Sequence, residues 1–296
     1  MVVSLGVVAY RIWGSWENIQ AAFNWKCLLV LLLFTLYVMG SYITYAVLYK
    51  KVLEEMAGRT VGIECISQYL KANLYKYLPG NVMHYVGRNK IAADGLVSYK
   101  QINIASIMEI LVSIIAASAI AMLLAGKYVI QYVSQYIVFR WIICGSVVLG
   151  VVLSIIIVAF RSKIMDFLKD SITPRIPHIF GRMVVIYIIW TILGNTVFAR
   201  LLQVLGCEIT LTDYFPIIGI YSGAWLIGFL TPGVPGGIGV REAMLNIFLS
   251  GIIPTWMASL AGVLIRIAQI LGELLAYVIT VSAIKRHYEA QKKVDG

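Results

Sequence analysis

Charge is scarce in this sequence: Asp, Glu, Lys and Arg supply 13% of the 296 residues, while 60% are hydrophobic. That excludes a soluble domain, which could not cover its surface with so few charges. Cysteine is also sparse, and Cys27, Cys65, Cys144 and Cys207 lie far apart with no CxxC spacing, which excludes a thiol redox motif and a cysteine zinc site. They read as small buried hydrophobes. The three histidines His84, His178 and His287 are scattered, and the 14 acidic residues form no Asp-x-Asp pair. No metal ion and no cofactor is therefore expected, and a transferase holding a metal-bound diphosphate would lack its usual carboxylates.

Long apolar runs are what the sequence has instead. Cys27 to Tyr49 and Ile142 to Phe160 are each about long enough to cross a bilayer and show no strand-length alternation. In hydrocarbon every backbone amide must be satisfied within its segment, so the fold class is an all-α integral membrane protein, a polytopic helical bundle forming one transmembrane domain over 1–296. Full spans are expected at 27–49, 103–125, 137–160, 183–204 and 257–284, with two less regular regions at 61–100 and 214–252. Trp13, Trp16 and Trp25 flank a polar stretch suited to the headgroup level. Met1 to Ala9 lacks a basic leader and a cleavage site, so it reads as the end of a short first span rather than a signal peptide.

The net charge of +10 does not point to nucleic acid, because the basic residues sit between spans. Most of the 24 Lys and Arg residues fall in 50–102, 161–182 and 285–296, whereas 205–213 holds Glu208 and Asp213 and no basic residue. The positive-inside rule then places the basic segments and the C-terminus in the cytoplasm of a multi-pass cell-membrane protein. Under that orientation region 61–100 begins and ends inside, and 214–252 begins and ends outside. Each reads as a re-entrant hairpin; for the second, a full span over 214–231 with a return over 240–252 satisfies the same parity.

The two regions share a motif. Pro79-Gly80 and Pro232-Gly233 are each followed, after seven residues, by an arginine, Arg88 and Arg241. The same offset aligns Ala105-Ser106 with Ala258-Ser259, each opening an apolar span. Repeat halves over 61–160 and 214–284, inserted in opposite senses, would bring two broken helices together, a recurrent transporter architecture. Proline withdraws a backbone donor and glycine permits a tight reversal, so Gly233 to Gly239, with Pro235, Gly236 and Gly237, is expected to turn the chain before a new helix begins near Val240. The free amides of that helix end would favour an anion, and Arg241 would add a planar fork suited to phosphate. Adjacent Glu242 should point elsewhere. The plainer alternative is that the glycines let helices pack and the arginines snorkel, Arg88 joining Lys90 and Lys100 as a cytoplasmic charge.

Polar residues within spans complete the candidates. Glu109 shares a face with Ser106 and Ser113, and Arg266, Gln269 and Glu273 form a second stripe. Intramembrane charge is costly and marks a pathway or, equally for Glu109, a coupling proton or an ion pair with an arginine of the other repeat. Arg140 and Arg200, near span ends, read as snorkelling, and Gly219 with Gly223 reads as a helix-packing pair.

Lys76-Tyr77-Leu78-Pro79-Gly80, Gly87-Arg88, Ser106-x-x-Glu109, the run from Thr231 to Glu242 with its Pro-Gly-Gly-Ile-Gly core, and Arg266 with Glu273 together resemble the lysylphosphatidylglycerol synthase/flippase transmembrane domain family. The similarity spans about residues 27–284. It implies a protein that moves or presents a phospholipid, in the family an aminoacylated one, or a polyprenyl-phosphate-linked glycolipid, with cell-surface glycan enzymes as further partners. Bifunctional members carry a cytosolic aminoacyl-transfer domain; twelve residues follow Ile284 here, so synthase activity is not expected of this chain. The expectation is a lipid flippase in which Arg241, Arg88, Gly236, Gly237 and Gly239 bind lipid phosphate, and Glu109, Glu242, Arg266 and Glu273 line or couple the pathway. A glycosyltransferase-like enzyme and a non-transporting scaffold in glycolipid synthesis are the alternatives.

Overall fold

The computed structural model describes residues 17, 24–77, 83–94, 97–135, 173–231, 234–237 and 239–294. All regular structure among them is helical. The described residues form eight α-helices: α1 (Trp25–Ala57), α2 (Glu64–Leu74), α3 (Met83–Arg88), α4 (Tyr99–Gln135), α5 (Ile176–Val204), α6 (Leu211–Leu230), α7 (Val240–Leu249) and α8 (Thr255–Val294). Short 3-10 turns at Tyr75–Tyr77, Asn89–Asp94 and Pro235–Gly237 mark the breaks between them.

Among the described residues five helices, α1, α4, α5, α6 and α8, are long and apolar enough to cross a membrane, and less than a third of the apolar window of α1, α4, α5 and α8 is buried inside the bundle. Leu28, Leu29, Leu32, Leu33 and Leu36 of α1 are all exposed. Such a stripe is stable in lipid and a liability in water. The expected span at 137–160 lies outside the described residues, as do Met1 to Ala9, Trp13 and Trp16. Where the spans are described, the helices outrun the apolar runs, because hydropathy marks only the hydrocarbon slab while the helix continues beyond it. Leu211–Leu230 is one continuous helix rather than an irregular stretch, and α6 alone has half of its apolar window buried. Its return limb α7 has 10 residues, about 15 Å, short of a span.

Helix ends are set by local chemistry. Asn24 Oδ1 accepts from the Lys26 amide at 2.9 Å to start α1, and Gly58 ends it at a φ of 65°. Ser98 and Gln101 exchange bonds before α4, and Thr210 with Asp213 does the same before α6. Two apolar clusters hold the bundle. One joins Phe198 and Leu202 of α5 to Tyr221, Leu245 and Ile265, and the other joins Tyr49 and Leu53 of α1 to Tyr69, Ile102 and Met183.

Gly219 and Gly223 divide in role. A Cβ on Gly219 would stand 2.6 Å from the Ala125 backbone nitrogen of α4, whereas one on Gly223 would meet the Ala121 Cβ at 3.6 Å. Gly219→Ala is therefore expected to force α4 and α6 apart and cost about 1–3 kcal/mol, lowering the melting temperature in detergent. Gly223→Ala should leave it unchanged or raise it slightly. Equal behaviour of the two variants would contradict this packing.

Candidate functional site

The second break turns as its glycines permit: Gly236, Gly237 and Gly239 have φ values of 56°, 72° and 88°. The turn presses against α6, since a Cβ on Gly237 would lie 3.0 Å from the Gly228 backbone. Helix α7 then begins at Val240, where the sequence placed it. Its amide end differs from expectation. Glu242 Oε2 accepts the Gly239 N–H at 2.6 Å, so the helix N-terminus carries its own carboxylate and Glu242 acts as a cap rather than facing a pathway.

Arg241 is buried, with its guanidinium 4.2 Å over the Tyr221 ring and Nη1 donating to Gln269 Oε1 at 3.4 Å. Arg266, one turn before Gln269 on α8, donates from Nη2 to the Gly236 carbonyl and lies 5.8 Å from the Tyr77 ring centre. Its buried Nε has no partner. Among the described residues neither arginine meets a carboxylate in ion-pair contact. Both guanidinium groups are buried on the same cavity, so each gains from any anion brought near.

The first break contributes differently. Arg88, at the end of α3, is 1% exposed and forks onto Glu109 of α4 at 2.6 and 3.2 Å, with Ser106 3.3 Å from Nη1. Tyr49, Tyr69 and Tyr85 surround it with ring centres at 4.9, 4.4 and 5.1 Å, and the Tyr69 hydroxyl donates to Glu109 at 2.6 Å. Glu109 is thus in an ion pair, but with the arginine of its own half. Lys76, three residues before Pro79, reaches Glu273 of α8 at 2.7 Å, and the Tyr77 hydroxyl donates to the same carboxylate at 3.1 Å. Gln269 Nε2 donates to Glu273 at 2.9 Å and completes this knot.

Described residues flanking both breaks line one cavity of about 200 Å³. Lys76, Arg88, Glu109, Arg241, Arg266 and Gln269 all line it, as do Gly236 and Gly237, interleaved with aromatic rings. Pro79, Gly80, Pro232 and Gly233 lie outside the described residues; Pro235 opens the turn at Pro235–Gly237. Arg200 is exposed and bonds Gln203.

The shared offset also exposes an asymmetry. Glu109 follows Arg88 by 21 residues, and the residue 21 after Arg241 is Gly262, whose Cβ position faces the Glu242 side chain at 3.5 Å. One arginine is neutralised and its counterpart is not. Sequence reasoning treated Lys76 as a cytoplasmic charge and passed over the tyrosines; its position three residues before Pro79-Gly80, and 18 tyrosines in the chain, were the available signals. Comparison with protein-family models and with curated proteins gave no match to this chain.

Proposed function

We propose that this protein is a membrane lipid transporter that binds the phosphate of a lipid headgroup at Arg241 and Arg266 and passes it across the bilayer, the acyl or prenyl tail remaining in lipid. The observation that carries this reading is the pair of buried guanidinium groups without a carboxylate among the described residues, facing a cavity lined by aromatic and polar side chains inside a helical bundle with an apolar exterior. An uncompensated buried charge is expensive, and a phosphate oxygen bound in a planar fork relieves it. The family resemblance of the motifs points the same way.

In this reading α2 with α3, and α6 with α7, are the two limbs of an inverted repeat, entering from opposite faces with the C-terminus in the cytoplasm. The Lys76–Glu273 pair ties the first break to the second half, so rocking of the halves must stretch or exchange it. Arg88 and Glu109 form the fixed wall of the passage. Extraction in mild detergent followed by lipid mass spectrometry is the test: the purified protein should retain a phosphate lipid at about one per chain. A folded protein that retains none contradicts the proposal.

A further inference from the structure

This step rests on the reading just given. We infer that Gln269 is a positioning residue that couples the phosphate seat to movement: when phosphate engages Arg241, Gln269 lets go, and the Lys76–Glu273 pair that ties the first break to α8 is released.

One continuous line of polar contacts joins the two breaks. Lys76 donates to Glu273 Oε1 at 2.7 Å, Gln269 Nε2 donates to the same oxygen at 2.9 Å, and Arg241 Nη1 donates to Gln269 Oε1 at 3.4 Å. Tyr77 adds a second link, its hydroxyl on Glu273 and its ring 3.5 Å from the Cβ position of Gly236 in the turn of the second break. Among the described residues, Lys76 with Glu273 is the ion pair that connects these regions, since Arg88 and Glu109 pair within the first. Gln269 and Glu273 are both buried, where such bonds are stronger than at a surface.

The weakest link is the one that phosphate meets. At 3.4 Å the Arg241 to Gln269 bond is long and its acceptor neutral, whereas a phosphate oxygen is charged and phosphate accepts two parallel bonds from a guanidinium. Phosphate therefore displaces Gln269 Oε1. The amide is oriented by its two partners, donor end on the carboxylate and acceptor end on the guanidinium, and it is free to turn once one of them is withdrawn. Charge acts in the same direction. With the seat empty, Arg266, on the same face of α8, adds to the field by which Lys76 holds Glu273; a bound phosphate cancels that field, repels the carboxylate and attracts Lys76. Neither released group is stranded. Lys76 keeps the Tyr42 hydroxyl at 2.7 Å and the Tyr42 and Tyr77 rings at 4.7 and 5.3 Å, and Glu273 keeps the Tyr77 hydroxyl. The empty protein is latched and the loaded one can rock.

Lys76 itself reports the latch. The full chain in detergent is treated with acetic anhydride, with and without saturating phosphatidylglycerol, and acetylation of Lys76 relative to the exposed Lys71 is followed by mass spectrometry. Wild-type Lys76 should react about fivefold or more faster with the lipid than without it. Diacylglycerol, which has the tails and no phosphate, should leave the rate unchanged. Gln269→Met and Gln269→Leu both remove the amide without adding charge. Each should retain phosphatidylglycerol yet show the same Lys76 rate with and without it. In proteoliposomes each should lower the maximal translocation rate about tenfold while moving the half-saturating lipid fraction by less than about threefold, a split that mere loss of structure does not produce. Lys76 labelling that stays constant or slows when the wild type binds phosphatidylglycerol overturns the inference, as does an equal response to diacylglycerol. A Gln269 variant whose Lys76 answers the lipid as the wild type does removes Gln269 from the coupling. The same response to an equal concentration of glycerol phosphate assigns the seat to a soluble solute. A folded wild type that retains no phosphatidylglycerol defeats the functional reading itself.

Discussion

Glu109→Ala should unfold more of this protein than any other single change at the site, costing about 3–5 kcal/mol. The mutation removes the carboxylate that both forks of Arg88 hold, leaving a guanidinium that is 1% exposed with hydroxyls and ring faces for company. Arginine cannot shed its proton to escape, whereas a glutamate can take one up. Arg88→Ala should therefore be the milder of the two, because Glu109 would keep the Tyr69 hydroxyl at 2.6 Å. Replacing both residues with apolar ones of similar volume, as in Arg88→Met with Glu109→Leu, should recover most of the loss. Unfolding in detergent, followed by temperature or denaturant, ranks the three. If Arg88→Ala proves the more damaging, the pair is not the buried anchor described.

Arg241→Ala should behave in the opposite way, sparing or slightly raising stability while removing lipid binding. Its charge is buried without a carboxylate, so deletion relieves desolvation and lessens the repulsion with Arg266. Binding should fall by at least about 30-fold, the equivalent of the lower end of the roughly 2–5 kcal/mol lost when one partner of a desolvated charged contact is truncated. Arg241→Lys should restore only part of this, because a point charge cannot form two parallel bonds to phosphate or stack flat on Tyr221. A large drop in melting temperature for Arg241→Ala would instead make it a structural residue.

Much of this architecture was legible in the residues. Apolar runs located four of the five described spans, and the Gly-rich run predicted the start of α7 at Val240, because glycine and proline act through local backbone geometry. Gly219 read correctly as a packing residue, since a close approach demands the absence of a side chain. Helix termini were less legible: α4 starts at Tyr99 because Ser98 and Gln101 cap it, a polar signal that hydropathy ignores. The limb from Leu211 to Leu230 was ambiguous for a different reason, its mean hydropathy being the lowest of the five long helices. Partnerships were not legible at all. Glu109 could have paired across the halves, and Lys76 looked like one cytoplasmic charge among several; only the folding of α2 and α3 against α1, α4 and α8 decides these contacts. The role of Glu242 turned on one hydrogen bond to Gly239, which a motif of adjacent Arg and Glu does not reveal.

Whether Arg241 is the working seat is tested most directly by transport itself. Tail-labelled phosphatidylglycerol is placed in sealed proteoliposomes, and the label reaching the outer leaflet is followed by a membrane-impermeant quencher. The wild type should move the lipid at a rate proportional to protein, and Arg241→Ala, at equal reconstitution and with its melting temperature preserved, should match protein-free vesicles. Translocation by Arg241→Ala at the wild-type rate would contradict the account.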